Sequence, residues 1–440
     1  MSSVTSSPTA DAVDHRRRIL IRRINLSAAW GEGLDGYDLG VLSVVLPAIT
    51  VALGMSPVEA GLVGASSLIG IFVGAPLAGW LSDRFGRQRM FTIDILCFVV
   101  LGLAQAFVTD TGQLFVMRVL LGMAIGAEYA IGAAMLAEFA PSKGRGRRLS
   151  ALLVCWYGGF LVAVVVAYAM TAGGLSWRWV LATSVIPAAA AYVIRFGVPE
   201  SPRWLLSHGR TVRAREVIDR HLGDEYVERE GIADETRRRG GYRELFRGEN
   251  RRRLIFLAVF WACNVAPYFA IFTFAPVVLE SLDLGDPTAG TIGVNALATL
   301  GALVGALTIE RLGRRKQLIP PFWIMAVALA VVGIWSGAPA WATLLCFAVF
   351  AFFNALQGNL TAVYPIEIMP TEVRSSAVGV AAAASRVGAA VGTFLLPVGI
   401  STIGTGWCML IGAGICVIGA VVSQVRAPET TGKTLAETSR

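Results

Sequence analysis

The chain has 440 residues, 55% hydrophobic and only 15% charged, with 38 Lys and Arg against 30 Asp and Glu. Soluble proteins usually carry about 25% charged residues, so this balance and a mean hydropathy of +0.63 exclude an ordinary soluble domain. The net charge of +8 is spread over short turns and builds no nucleic-acid-binding face.

Apolar windows of about 20 residues, each long enough to cross a bilayer, recur along the chain. They predict helices at about 26–52, 60–82, 90–109, 113–139, 149–172 and 177–196, then 254–281, 288–310, 317–336, 340–365, 374–402 and 405–425. The expected fold is an all-α membrane protein of twelve transmembrane helices in two pseudo-symmetric six-helix halves. Its expected divisions are an N-terminal tail (1–25), a first half (26–196), a central loop (197–253), a second half (254–425) and a C-terminal tail (426–440). The central loop is charged, small and compatible with short amphipathic helices. Residues 1–14 are polar, and the first apolar run is too long and acidic for a cleavable leader.

The first helix contains the most unusual text, Trp30-Gly-Glu32-Gly-Leu-Asp35-Gly36-Tyr37-Asp38. Glu32, Asp35 and Asp38 are spaced by three, which predicts one acidic stripe on a helix face. Acids in a bilayer cost several kcal/mol unless they face a bundle interior or a watery cavity. Glu32 and Asp35 have a competing reading as caps near a helix end; Asp38 lies deeper and has a weaker claim to it. The three histidines, His15, His208 and His221, fall outside the predicted membrane segments. Proton coupling would therefore fall to carboxylates, and Asp35, Asp38 and Glu128 have the placement for it. Asp94, near the start of helix 3, is expected to join charged groups at the cytoplasmic end.

Lys and Arg concentrate in alternate loops, which by the positive-inside rule places both termini and the central loop in the cytoplasm, with affinity for anionic membrane lipid. The localisation expected is the inner (plasma) membrane, multi-pass. Arg118, Arg178 and Arg386 depart from this distribution. Arg118 either snorkels from near the start of helix 4 or serves a substrate. Arg386 lies about a dozen residues into helix 11, too deep for easy escape, and its guanidinium suits a carboxylate. Asn264, Asn354 and Gln357 offer hydrogen bonds, and Tyr37, Trp156 and Tyr268 an aromatic wall, although each alone also reads as packing. The six cysteines sit in apolar segments without metal or disulfide spacing. No phosphate loop or nucleophile motif occurs, so neither a cofactor, a metal nor an enzyme activity is expected.

An internal repeat falls on the loops. Asp83-Arg84-Phe-Gly86-Arg87 is echoed in the second half by Glu310-Arg311-Leu-Gly313-Arg314. Glu138-Phe-Ala-Pro141…Arg145 is echoed at almost the same offset by Glu367-Ile-Met-Pro370…Arg374. An acid at a helix end beside a Gly turn and arginines makes a charge clasp able to hold one conformation. Asp83, Arg84, Gly86, Arg87, Glu138, Arg145, Glu310, Arg311, Arg314, Glu367 and Arg374 are accordingly candidate gating residues. Repeated halves place substrate near mid-membrane at their interface.

These motifs, with Arg118-Val-Leu-Leu-Gly122-Met-Ala-Ile-Gly126 in helix 4, resemble the major facilitator superfamily. Pro199-Glu200-Ser201-Pro202-Arg203 and Pro428-Glu429-Thr430 look like the sugar-porter signatures, but the glutamine-rich seventh-helix signature is replaced by Trp261-Ala-Cys-Asn264-Val-Ala-Pro-Tyr268. Asp35-Gly36-Tyr37-Asp38 is similar to the first-helix motif of aromatic-acid:proton symporters, in which both aspartates are required. Tyr364-Pro-Ile-Glu367 and Ser385-Arg386-Val-Gly388 resemble organic-ion and niacin-type carriers, and Gly126-Ala-Glu128-Tyr129 resembles metabolite symporters. The resemblance implies a secondary transporter, working as a monomer, that moves a small organic solute with protons by alternating access. A carboxylic acid is the first substrate class and a sugar or polyol the second. Drug-like efflux and a non-transporting ligand sensor remain as further readings.

Overall fold

The computed structural model describes residues 10–139, 145–223, 245–280, 287–335, 337–370 and 374–430. Among these residues, twelve helical segments are long and apolar enough to cross a membrane: α1 (Ala10–Leu53), α2 (Pro57–Phe85), α3 (Arg87–Ala104), α4 (Thr111–Phe139), α5 (Arg145–Ala172), α6 (Trp177–Arg195), α7 (Gly248–Thr273), α8 (Pro287–Leu312), α9 (Arg314–Ile334), α10 (Ala340–Ile368), α11 (Arg374–Ile403) and α12 (Thr405–Arg426). Local signals set their ends. At the start of α2, Ser56 and Glu59 form a reciprocal capping box, and Pro57 occupies the first turn, where its missing N–H costs nothing. α6 is interrupted at Thr183–Ser184.

Two boundaries differ from expectation. α1 begins at Ala10, not near 26, because hydropathy marks the membrane segment and not the helix. Leu20 and Ile24, interleaved with arginines, pack on Phe91, Phe139, Val198 and Leu222, while Arg17 donates to the Leu222 carbonyl. α7 ends at Thr273, and a short helix, Ala275–Glu280, continues after the break. In the central segment, helices Pro202–Ser207 and Thr211–Val217 follow α6.

Packing repeats with a period of six helices. α1 lies on α5 and α7 on α11; α2 lies on α4 and α8 on α10; α3 meets α4 and α6 as α9 meets α10 and α12. Helices α1–α6 meet α7–α12 chiefly through α2 against α11 and α5 against α8, themselves a symmetric pair. The closest approaches are made by glycines, which let membrane helices pack backbone to backbone. A Cβ on Gly70 or Gly74 would run into the α4 backbone, and one on Gly301 or Gly305, their counterparts in α8, would do the same to α10. In α1, a Cβ on Gly36 would run into the Trp156 carbonyl of α5. The glycines of the acidic motif therefore seat α1, leaving its acids to point elsewhere.

Candidate functional site

The repeated charge motifs form two matching clasps at one end of the bundle. In the first, Arg87 Nη2 lies 3.3 Å from Asp83 Oδ1, and Glu200 Oε1 accepts from the backbone N–H of Arg87 and of Gln88, both at 3.0 Å. In the second, Glu429 accepts from the N–H of Arg314 and Arg315 at 3.0 and 3.1 Å. Arg314 grips Glu367 with two bonds of 2.7 and 3.2 Å and stands 3.4 Å from Glu310. Each clasp thus puts a carboxylate on the unsatisfied N–H groups of a helix start, where the backbone dipoles favour an anion. Gly86, with φ of 112°, is required twice over, since a Cβ there would also strike Glu200. Glu200 and Glu429 occupy equivalent places in the two halves, each just beyond the sixth helix of its own. They explain the two Pro-Glu-Ser/Thr motifs, whose acids sequence reasoning left without a role.

Some gating assignments are redistributed. Glu367, at the end of α10, pairs with Arg314 at the start of α9. Arg84 lies over the Trp80 and Phe85 rings at 5.6 and 5.8 Å and joins no acid among the described residues. Arg311 is exposed at the end of α8. The side chains of Glu138, Arg145 and Arg374 lie outside the described residues. Arg314→Ala is expected to lower turnover about tenfold, from the loss of charged hydrogen bonds, while leaving equilibrium substrate affinity within about twofold. Separate transport-rate and binding measurements check this; a normal rate with lost affinity contradicts it.

The acidic stripe of α1 is a spiral. Steps of three residues fall about 60° short of a full turn, so Glu32 and Asp38 face directions about 120° apart. Asp38 is buried beside Arg118, which donates to the Asp38 carbonyl at 3.2 Å and to Gln105 Oε1 at 3.3 Å. Arg118 is completely buried: it is held inside the first half and does not reach the surface. Asp35 is also completely buried, and neither carboxylate oxygen has a hydrogen-bond partner among the described residues. Glu32 is half-buried and lies in the fields of Glu128 and Arg386. Tyr37 turns away from the half–half interface and donates to Thr183 Oγ1 at 2.8 Å.

Where the halves meet, aromatic and amide side chains converge. Trp156 and Tyr157 of α5 contact Tyr268 of α7 with ring centroids 6.1 and 5.6 Å apart, and Phe269 lies 5.9 Å from Trp156. Asn264 and Asn354 donate to each other's backbone carbonyls at 3.3 and 2.8 Å, and Tyr157 reaches Asn354 Oδ1 at 3.5 Å. The Tyr268 hydroxyl and both amide atoms of Gln357 are buried without a partner among the described residues. Arg386 completes the group. Its guanidinium lies over Tyr129 at 5.2 Å and Phe269 at 5.5 Å, and no described carboxylate stands within ion-pairing distance.

Sequence reasoning passed over Arg195. It ends α6, where an arginine reads as a membrane-edge residue, yet it is buried and reaches Glu128 Oε2 at 2.7 Å and Asp94 Oδ2 at 3.7 Å. Asp94 consequently belongs to this buried group and not to the Asp83–Arg87 clasp. Two deep acids in one half, unmatched by any assigned cation, were the signal available.

Paired six-helix halves, repeated clasps and a polar, aromatic cluster between the halves define a membrane transporter of the major facilitator fold. The family model described as "Sugar (and other) transporter" matches residues 24–440, and the chain belongs to that family. It is 39% identical to the Escherichia coli K12 protein described as "Putative metabolite transport protein YaaU", over 98% of this chain and 97% of YaaU. It is 36% identical to the inner membrane metabolite transport protein YgcS of the same organism, over 90% and 88% of the two chains. The proton:xylose symporter XylE of E. coli, in its structure with 6-bromo-6-deoxy-D-glucose, superimposes with a TM-score of 0.77 at 23% identity, covering 96% of this chain and 99% of XylE.

Proposed function

We propose that the protein is a proton-coupled symporter of a small organic anion, with the substrate carboxylate on Arg386. The observation that carries this reading is a guanidinium between the halves, stacked on two rings, with no described carboxylate at ion-pairing distance. A buried charge of this kind requires a counter-charge, a bound anion or water. Tyr129 and Phe269 on its flanks, with Trp156 and Tyr268 beyond, suit an aromatic or otherwise planar acid. Gln357 and the Tyr268 hydroxyl hold hydrogen-bonding capacity that is expensive to leave unmade, and a ligand would use it. Asn264 and Asn354, bonded to each other's backbone, position the wall between them. Asp38 beside Arg118, with Asp35 and Glu128, supplies carboxylates for the coupled proton. The lysine and arginine distribution supports an inner-membrane orientation with both termini in the cytoplasm.

A sugar or polyol is the second reading, favoured by family membership and by the amide cluster on α7 and α10. Uptake into proteoliposomes under an inward proton gradient, using aromatic acids, sugars and polyols, tests the proposal. Accumulation of an acid supports it; accumulation of sugars alone favours the second reading, and specific binding without flux makes the protein a sensor.

A further inference from the structure

Among the described residues, the interior of the first half holds four acids, Asp35, Asp38, Asp94 and Glu128, each at most 4% exposed, against two equally buried arginines, Arg118 and Arg195. Arg118 lies beside Asp38. Arg195 is committed to Glu128 at 2.7 Å through Nη2 and to the Phe91 carbonyl at 2.8 Å through Nη1, with its guanidinium 3.5 Å above the Phe91 ring. Asp94 is left with the longer 3.7 Å contact, and neither of its oxygens accepts a hydrogen bond from the described residues. Glu128 Oε1 also lacks a donor among the described residues. Two carboxylates beside one guanidinium therefore leave a net negative charge in a low-dielectric interior, and three of their four oxygens accept no hydrogen bond among the described residues. A single proton corrects both faults.

We propose that Asp94 and Glu128 hold one proton between them, with Asp94 the carrier and Glu128 the acceptor. The α3–α4–α6 junction is then a proton-binding site separate from Asp38 and Arg118. On Asp94 the proton turns an acceptor without a donor into an O–H that donates to Glu128 Oε1, while the Glu128–Arg195 pair stays ionic. Release returns the proton to water and leaves the carboxylate pair doubly charged. The charged and titratable groups facing Asp94 are Glu128 from α4, Arg195 from α6, Asp35 from α1 and, on its own helix, the Cys97 thiol. α1 also bears on the site sterically. A Cβ on Gly31 would run into Glu128 Oε1 and Arg195 Nη2, and one on Gly132 would crowd the same carboxylate. Movement of α1 against α4 would thus alter the space around the proton-accepting oxygen. The role in transport rests on the carboxylate-coupling reading above, but the proton itself can be tested without any substrate.

The test compares the purified wild type with Asp94→Asn and Glu128→Gln by infrared spectroscopy of the protonated-carboxyl band and by thermal denaturation. Asn is neutral and nearly isosteric with protonated Asp. At neutral pH, Asp94→Asn should remove one component of that band and shift the midpoint by less than about 2 °C, whereas Glu128→Gln strands Arg195 and should lower it by roughly 3–5 °C. If the native fold binds this proton more tightly than the unfolded chain does, stability falls as pH rises through its release. The wild-type midpoint should therefore fall at alkaline pH while that of Asp94→Asn does not fall with it. An unchanged band in Asp94→Asn, or a loss of stability matching that of Glu128→Gln, would overturn the proposal. Should Glu128→Gln not fold, the band and pH profile of Asp94→Asn still decide. Loss of the band with no transport of any anion would preserve the proton site and reject the symport reading.

Discussion

Arg386→Gln is expected to weaken binding of a carboxylate substrate by roughly 2–5 kcal/mol, the range for truncating one partner of a buried charge pair. That corresponds to a loss of at least about 30-fold in affinity. Arg386 as a whole is 9% exposed, so most of its solvation is already gone in the empty protein, and an arriving carboxylate restores it. Tyr129 and Phe269 lie within 5.2 and 5.5 Å of the guanidinium and restrict its movement, which favours two parallel hydrogen bonds. Arg386→Lys should be intermediate: the charge stays, but the fork and the ring stacking are lost. Binding of a carboxylate and its neutral amide to wild type and Arg386→Gln separates charge recognition from packing. The wild type should prefer the acid, and the mutant should lose that preference. Equal weakening of both ligands would make Arg386 structural and put the polyol reading first.

Much of the fold is legible in the sequence because bilayer length and loop charge act locally. Each apolar window specifies a helix without reference to its partners, and the repeat on the loops discloses the two halves. The start of α1 escapes such reading for the complementary reason: Leu20 and Ile24 become apolar contacts only when Phe91, Phe139 and Leu222 come to meet them. In the site, depth is readable but direction is not. The buried positions of Asp38 and Glu128 follow from the apolar text around them, whereas that text leaves Arg118 open between the surface and the interior. Which way each side chain points depends on helix rotation set by glycine contacts such as Gly36 on Trp156. That is why Tyr37, adjacent to Asp38, serves α6 instead of the interface. Arg195 is hidden at a helix end, and its importance emerges only once α3, α4 and α6 bring Asp94 and Glu128 to it. Glu200 and Glu429 are visible as motifs, but their capping role depends on contacts with segments distant in sequence.

The second large effect is expected at Asp38. Asp38→Asn leaves Arg118 completely buried without its neighbouring carboxylate and removes a group able to carry a proton. Accumulation driven by a proton gradient should be abolished, leaving the solute equilibrated across the membrane, whereas solute exchange at equal pH should persist. Asp35→Asn should reduce accumulation in the same direction: its carboxylate is buried without a hydrogen-bond donor among the described residues, and Asn removes its charge. Undiminished gradient-driven accumulation in both variants would exclude the α1 aspartates from coupling.

The most direct measurement is proton movement itself. In wild-type proteoliposomes enclosing a pH-sensitive dye, addition of a transported aromatic carboxylate at equal starting pH should acidify the lumen as solute enters. The signal should vanish in Asp38→Asn while exchange of labelled solute continues. Solute entry in the wild type without acidification, or acidification undiminished in Asp38→Asn, would contradict carboxylate-coupled symport.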